Sequence, residues 1–260
     1  MALRYLTAKL AQQIDEELMS AAGAFSLDQL MELAGLACAQ TLAKVYSKDK
    51  YPRVLVCCGP GNQGGDGLVA ARHLSQFGYK PILFMPKPGS KDIYKRLHTQ
   101  CDNMSIPTLS TSSSSETIPE LSKALSSSDV ILDAIFGFSF QPPVRSPFDA
   151  VLPLLAKSGL PIVSVDIPSG WDVEKGKITF DVKDVEDGEG RAKPFAGLEP
   201  NVLISLTAPK LGVKDFKGRH FLGGRFVSRS LEERFELNLP DYPGYEQIVE
   251  LPSAEGVNKL

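Results

Sequence analysis

The sequence is poor in the residues that announce a particular chemistry. Only four cysteines occur in 260 residues, Cys38, Cys57, Cys58 and Cys101, with no CxxC pair among them. The three histidines, His73, His98 and His220, stand at no finger spacing from cysteine. A structural zinc site is not expected, and reduced, buried thiols in an intracellular protein are. Cys57 and Cys58, adjacent inside an apolar run, read as core rather than as nucleophiles. No apolar run approaches the roughly 18 residues of a membrane span. Charge of one sign is lacking too: 28 Lys and Arg face 31 Asp and Glu, a formal net charge of -3. That balance gives no blanket attraction to nucleic acid or anionic lipid. There is no GxSxG elbow, no Walker GK[ST] and no dinucleotide GxGxxG with a distant acid, so acyl transfer is argued against. The opening MALRYLTAKLAQQIDEELM lacks a secretory apolar stretch and carries Asp15, Glu16 and Glu17, which predicts a folded helix.

What is present is alternation. Two helices open the chain, one over about 7–21 and a second signalled by Ser26 with Gln29 three residues on, flanked by the apolar pair Phe25 and Leu30. Short apolar runs then recur at 53–58, 81–85, 130–133, 161–166 and 202–206, the pattern of buried parallel strands. Between them helices are expected from about Gly67 to Phe77, ending at Gly78, over 90–100, from a Thr117 cap to Leu125, and from Pro147 to Ser158. A short strand is expected over 106–109, before a serine-rich loop at 110–115. This spacing predicts an α/β protein with a mostly parallel sheet and helices on both faces. Strand order is not readable. Residues 1–260 read as one domain, with an exposed, densely charged insertion at about 177–194 and, after Phe216, a closing hairpin or strand and a C-terminal tail.

Three strand ends carry the chemistry. Gly59-Pro60-Gly61-Asn62-Gln63-Gly64-Gly65-Asp66-Gly67 follows a strand and precedes a helix; its glycines allow close backbone approach, and the helix start offers N–H groups to a phosphate. Asp66 reads either as a functional acid or as the helix cap. Asp133-Ala134-Ile135-Phe136-Gly137 ends a second strand, and Asp166-Ile167-Pro168-Ser169-Gly170 a third. Acids at the carboxyl edge of an open sheet face the crevice where ligands bind. With no well-placed histidine, the chemistry rests on carboxylates, hydroxyls and backbone. That suits proton transfer or the addition and elimination of water.

The motifs GPGNQGGDGLVAARHL, DAIFGFSF, VDIPSGWDVEKG and ISLTAPK, in this order, together resemble the NAD(P)H-hydrate epimerase family, also called apolipoprotein A-I-binding or YjeF N-terminal domain proteins. The likeness runs from about Tyr5 to Leu251. It implies a three-layer αβα Rossmann-like sandwich with two extra N-terminal helices, acting as a homodimer. The implied reaction interconverts the R and S forms of NADHX and NADPHX, the hydrates of NADH and NADPH, for nucleotide repair with a separate dehydratase. The substrate-binding residues it implies are Asn62, Gln63, Gly64, Gly65 and Asp66, then Gly137, Phe138, Ser139, Phe140, Gln141, Pro142 and Pro143, and Asp166. The catalytic pair would be Asp166, as the proton shuttle, and Asp66. A potassium ion would be held by Gln63, Asp133 and Ser169. Two places depart from the family pattern: Gln63 stands where relatives have Asn, and Pro142-Pro143, neither with an N–H to offer a phosphate, where they have Gly and an acid. The resemblance implies a cytoplasmic form, with mitochondrial forms known in the family, and neither nucleic acid nor membrane as a partner. The alternative is a non-catalytic nucleotide- or protein-binding scaffold on the same fold. Retention of Asp66, Asp133, Asp166 and Ser169 favours the enzyme.

Overall fold

The computed structural model describes residues 2–110, 114–183 and 192–252. Part of the serine tract, the middle of the charged insertion and the end of the tail lie outside the described residues.

Helix α1 (Ala8–Leu18) starts where the Thr7 side chain accepts from the Leu10 N–H. Helix α2 (Leu27–Val45) has the expected capping box, with Ser26 accepting from the Gln29 N–H and the Gln29 side chain accepting from the Ser26 N–H. Strands β1 (Arg53–Cys58), β2 (Lys80–Phe84), β3 (Val130–Ala134) and β4 (Ile162–Val165) follow, interleaved with helices α3 (Asn62–Gln76), α4 (Asp92–Asn103), α5 (Ser114–Ser126) and α6 (Phe148–Lys157). A two-stranded antiparallel ribbon, β5 (Phe180–Lys183) with β6 (Ala192–Phe195), precedes β7 (Val202–Leu206), β8 (Arg219–Gly223), α7 (Arg229–Arg234) and β9 (Ile248–Glu250).

The main sheet runs β2-β1-β3-β4-β7-β8-β9, parallel throughout except for β9, which lies antiparallel to β8. Along β1 the side chains alternate between two buried layers. Val54, Val56 and Cys58 pack with Leu68, Leu74 and Leu42 under α2 and α3. Leu55 and Cys57 pack with Leu121, Val151 and Leu155 under α5 and α6. Both faces are therefore covered, which is why the strands are mostly apolar on both sides, and each fully buried leucine or valine contributes about 1.5–3 kcal/mol. The architecture is the three-layer sandwich, with α1 and α2 as the additional N-terminal helices. From β1 the chain steps outward to β2, then crosses back to β3 and continues the other way. The switch point, where a crevice opens at the carboxyl edge, thus lies between β1 and β3.

Local expectations fail in four places. Helix α3 begins at Asn62, not near Gly67, because Gly64 and Gly65 are packing positions: a Cβ on Gly64 would stand 1.9 Å from the Gly59 carbonyl oxygen, and one on Gly65 2.4 Å from the Met31 sulfur. Tertiary fit overrides the weak helix propensity of glycine here. Helix α5 begins before Thr117, which is buried with Leu121, Ala124 and Leu125 on one helical stripe rather than capping the helix. Pro147 precedes the first residue of α6 instead of occupying it. The segment 106–109 makes only a single bridge, Thr108 to Leu83. The described arms of the charged insertion are also anchored rather than free, since Phe180 and Phe195 meet edge to face at 5.8 Å and pack on the α5–α6 side of the core.

Candidate active site

A cleft of about 630 Å³ opens over the switch point, walled by the start of α3, the segment after β3, the ends of β4 and β7, and α1 and α2 from the N-terminal side. Asn62, Gln63 and Asp66 line it, as do Gly137 to Gln141 and Asp166. Gly64 and Gly65 lie behind the wall, spent on close packing, and Pro142 and Pro143 are exposed outside it. The change from the family pattern at Pro142-Pro143 therefore falls beyond the lining.

The start of α3 carries no side-chain cap: Gly61 is the N-cap residue, and Asp66 lies inside the helix. The capping reading of Asp66 is thereby overturned. Uncapped N–H groups in a first turn are a ready site for an anion. Tyr94, from α4, donates its hydroxyl to the Asn62 Oδ1 at 2.6 Å and so fixes that side chain at the cleft rim.

Asp166 sits one residue past β4 with φ at +61°, a left-handed conformation that aspartate tolerates better than most residues. Its backbone N–H donates to the Ile204 carbonyl at 2.6 Å. Its Oδ1 accepts from Lys210 Nζ at 2.5 Å and from the Leu206 N–H at 3.2 Å. Both side chains of the pair are nearly inaccessible, at 4% and 5%. Lys210 also donates to the Leu206 carbonyl at 2.9 Å and stands 5.6 Å from the centre of the Phe138 ring. The neighbouring Thr207 has φ at +67°, a strained conformation for a β-branched residue, so two such residues meet in the cleft wall.

Asp66 is less enclosed by its surface, yet loses most of its hydration low in the cleft. Burial raises its carboxyl well above the ordinary range, the negative charges of Asp166 and Asp15 add to the rise, and Lys210 opposes it. Asp15, from α1, lines the same cleft, and burial pushes it up to about 6. Sequence reasoning missed Asp15, Lys210 and Tyr94. Only Lys210 left a signal, being the last residue of ISLTAPK just past a strand end.

Asp133 and Ser169 lie under the floor of the cleft and are fully inaccessible. Asp133 accepts from Ser164 Oγ at 2.7 Å, Ser169 N–H at 3.0 Å and Ser169 Oγ at 2.6 Å. Burial raises its pKa, and these donors pull it part of the way back. Ser169 Oγ accepts from the Phe136 N–H at 3.1 Å, while Gln63 Nε2 donates to the Phe136 carbonyl at 2.7 Å. Gln63 and Ser169 thus bind the two backbone groups of Phe136, and Asp133 joins them through Ser169. Gly137 leaves room for the Gln63 amide beside them, since a Cβ there would stand 2.1 Å from the Gln63 Oε1 and displace it.

The remaining candidates lie elsewhere. None of the three histidines lines the cleft. His73 pairs with Glu32 at 2.7 Å, and His220 is buried, depressed to about 4 and hydrogen-bonded to Ser205. All four cysteines are buried and free, and burial raises the thiols of Cys57 and Cys58, which makes them poor nucleophiles. Among the described residues no helix is long and apolar enough to cross a membrane.

Comparison with known proteins agrees with this geometry. The family model described as YjeF-related protein N-terminus matches residues 27–212. The NAD(P)H-hydrate epimerase of Cryptococcus neoformans var. neoformans serotype D is 59% identical over 254 residues, covering 97% of this chain and 99% of the relative. That of Schizosaccharomyces pombe is 48% identical over 251 residues, covering 96% and 97%. Among solved structures, yeast ynu0 superposes with a TM-score of 0.84 at 38% identity, covering 96% of this chain and all of that one.

Proposed function

The chain belongs to the family of YjeF-related protein N-termini, and we propose that it interconverts the R and S epimers of hydrated NADH and NADPH, the reaction for which its relatives are named. The observation that carries this reading is the cleft itself. Asp66 and Asp166 line one cleft over a sheet switch point, in surroundings that give the two carboxylates different tasks.

The substrate ring bears a hydroxyl on the carbon next to the ring nitrogen. Protonating that hydroxyl lets water depart and leaves a planar iminium, which water can attack on either face. Asp66, biased toward its protonated form, is suited to give the proton. Asp166, hydrogen-bonded to a buried lysine and a backbone N–H, is suited to stand as a fixed negative charge beside the cation. This gives the proton to Asp66 and the fixed charge to Asp166, where the sequence reading makes Asp166 the proton shuttle with Asp66 assisting. The uncapped start of α3 and the turn at Gly137 to Phe140, closed by the Phe140 N–H on the Gly137 carbonyl at 2.9 Å, supply backbone N–H groups for the phosphates. We assign the protein a homodimeric state and a place upstream of a separate, S-specific dehydratase.

The donor chemistry at the floor of this site supports a potassium ion. Among the described residues Asp133 has no ion-pair partner, and no group of three His, Cys, Asp or Glu suits a transition metal. What surrounds it is one carboxylate, a serine hydroxyl, an amide and a carbonyl, the hard oxygens a large monovalent cation takes. Gln63, Asp133 and Ser169 would hold it, and when bound it supplies fixed positive charge behind the Phe136-Gly137 segment. Gln63 needs one more ordered rotor than the family's Asn. Gln63→Asn should therefore lower the potassium concentration for half-maximal activity by about two- to fivefold, the equivalent of about 0.5–1 kcal/mol. Unchanged activity at limiting potassium would remove Gln63 from the site.

The deciding assay mixes R-NADHX with excess S-specific dehydratase and follows NADH. Formation faster than the spontaneous rate is expected. No acceleration would leave the scaffold reading in its place.

A further inference from the structure

Epimerisation through an iminium needs two proton transfers of opposite sense, one to the departing hydroxyl and one from the water that adds to the other face. Asp66 meets the first requirement. The second needs a base in the cleft, and most candidates there are already engaged. Asp166 is tied to Lys210 and the Leu206 N–H, the Tyr94 hydroxyl donates to Asn62, and no histidine reaches the cleft. Asp15 remains. It projects into the cleft from α1, whereas Asp66 projects from α3, and none of the hydrogen bonds among the described residues ends on its carboxylate. A carboxylate left without donors in a half-buried cleft carries a cost that packing alone does not explain.

We propose that Asp15 is a catalytic residue of this reaction, the base that takes the proton from the water adding to the iminium, with Asp66 as the acid. The inference rests on the epimerase reading. In one direction Asp66 gives its proton to the ring hydroxyl, the carbon–oxygen bond breaks with its electron pair leaving as water, and the nitrogen lone pair closes the carbon–nitrogen double bond. Water then bonds through oxygen to the other face, that double-bond pair returns to nitrogen, and the proton released passes to Asp15. Transfer of this proton back to Asp66 through solvent resets the site, and nothing is oxidised or reduced. The charged groups facing Asp15 are Asp66 from α3, Asp166 after β4 and Lys210 after β7, with Lys91 further along the cleft. Asp166 and Lys210 act on this pair in opposite senses, and Asp15 and Asp66 place two like charges in a poorly solvated space. Such a pair prefers to hold one proton. Burial and these charges push both carboxyls up, Asp66 well above its ordinary range and Asp15 to about 6, and a pair that shares one proton presents an acid and a base together.

The test uses the intact protein in the coupled NADH assay, with wild type, Asp15→Asn and Asp15→Glu. Wild type should lose kcat/KM as pH falls below about 6, as Asp15 takes up its proton. In Asp15→Asn, kcat should fall roughly 100-fold with little change in KM, and that acidic limb should disappear. Asp15→Glu should keep the limb and recover part of the rate. Stability should move the other way. A carboxyl raised from 3.8 to about 6 on folding loses stability as pH rises through that interval. Asp15→Asn should therefore melt at or above wild type at pH 7.5, with the advantage shrinking toward pH 4. Wild-type turnover and an unchanged acidic limb in Asp15→Asn overturn the proposal. So does a loss of rate matched by a lower melting temperature at pH 7.5, which marks a structural residue. If wild type itself gives no acceleration, the epimerase reading has failed; if wild type is active and Asp15→Asn equals it, only the role of Asp15 has failed.

Discussion

Asp166→Asn should lower turnover by roughly 10²–10⁴ and also lower the melting temperature, two effects with separable causes. Asparagine adopts the left-handed backbone of position 166 as readily as aspartate, so the +61° φ adds no penalty. Its carbonyl oxygen can still accept from the Leu206 N–H. What is lost is the countercharge of Lys210, whose side chain is 4% exposed and cannot reach water without disturbing the wall. Leaving a buried cation unpaired costs about 3–5 kcal/mol, and at about 2–4 °C per kcal/mol for a chain of this size that is a drop of roughly 6–20 °C. Adding Lys210→Met removes the stranded charge along with most of the packing change, so Asp166→Asn/Lys210→Met should recover much of the melting temperature. Turnover should stay low, because the negative charge beside the iminium is still missing. The measurements are calorimetric melting and the coupled rate per folded molecule, on the same preparations. A double variant with wild-type turnover would end the assignment of Asp166 and leave Asp66 and Asp15 to carry the chemistry.

Legibility in the sequence followed the range of the interactions involved. The runs at Arg53–Cys58, Val130–Ala134 and Val202–Leu206 were readable because strands covered on both faces are mostly apolar along their length. The capping box at Ser26 was readable because both partners lie within one turn. The start of α3 was not, since it depends on how Gly64 and Gly65 meet Gly59 and Met31, contacts that no local pattern encodes. Strand order was equally hidden, being set by which crossovers cover which face.

The site divides in the same way. Asp66, Asp133 and Asp166 were legible as acids beside strand ends, where topology restricts the possibilities to one edge of the sheet. Lys210 follows a strand end too, but a lone lysine there has no reason to look buried until Asp166 is found 2.5 Å away. Asp15 sits on an amphipathic helix next to buried Ile14, in a run of acids that reads as a solvated face. Only the docking of α1 over the carboxyl edge turns it into a cleft residue.

Asp133 should separate architecture from ion binding when it is replaced in two ways. Alanine removes the acceptor shared by Ser164 Oγ, Ser169 Oγ and the Ser169 N–H, all in a region without solvent access. Each orphaned donor costs about 1–3 kcal/mol and the vacated volume adds to it, so Asp133→Ala should lose roughly 3–6 kcal/mol and much of its soluble yield. Asparagine behaves differently. Its carbonyl can take the place of Oδ2, which accepts from the fixed Ser169 N–H, and its NH₂ the place of Oδ1, where the Ser169 hydroxyl can rotate to accept and only the long 3.4 Å bond from the Ile135 N–H is given up. Burying a neutral amide also avoids the cost that raises the pKa of the carboxyl at this position. Asp133→Asn should thus fold with a melting temperature near that of wild type in choline chloride. Replacing choline by potassium at equal ionic strength should raise the wild-type melting temperature, because ligands that bind only the folded chain stabilise it by mass action. The asparagine variant should show no such rise, since the anionic member of the donor set is gone. A potassium response equal to that of wild type would make Asp133 a purely structural acceptor, joining β3 to β4 and to the turn at Ser169, and would move the ion away from this floor.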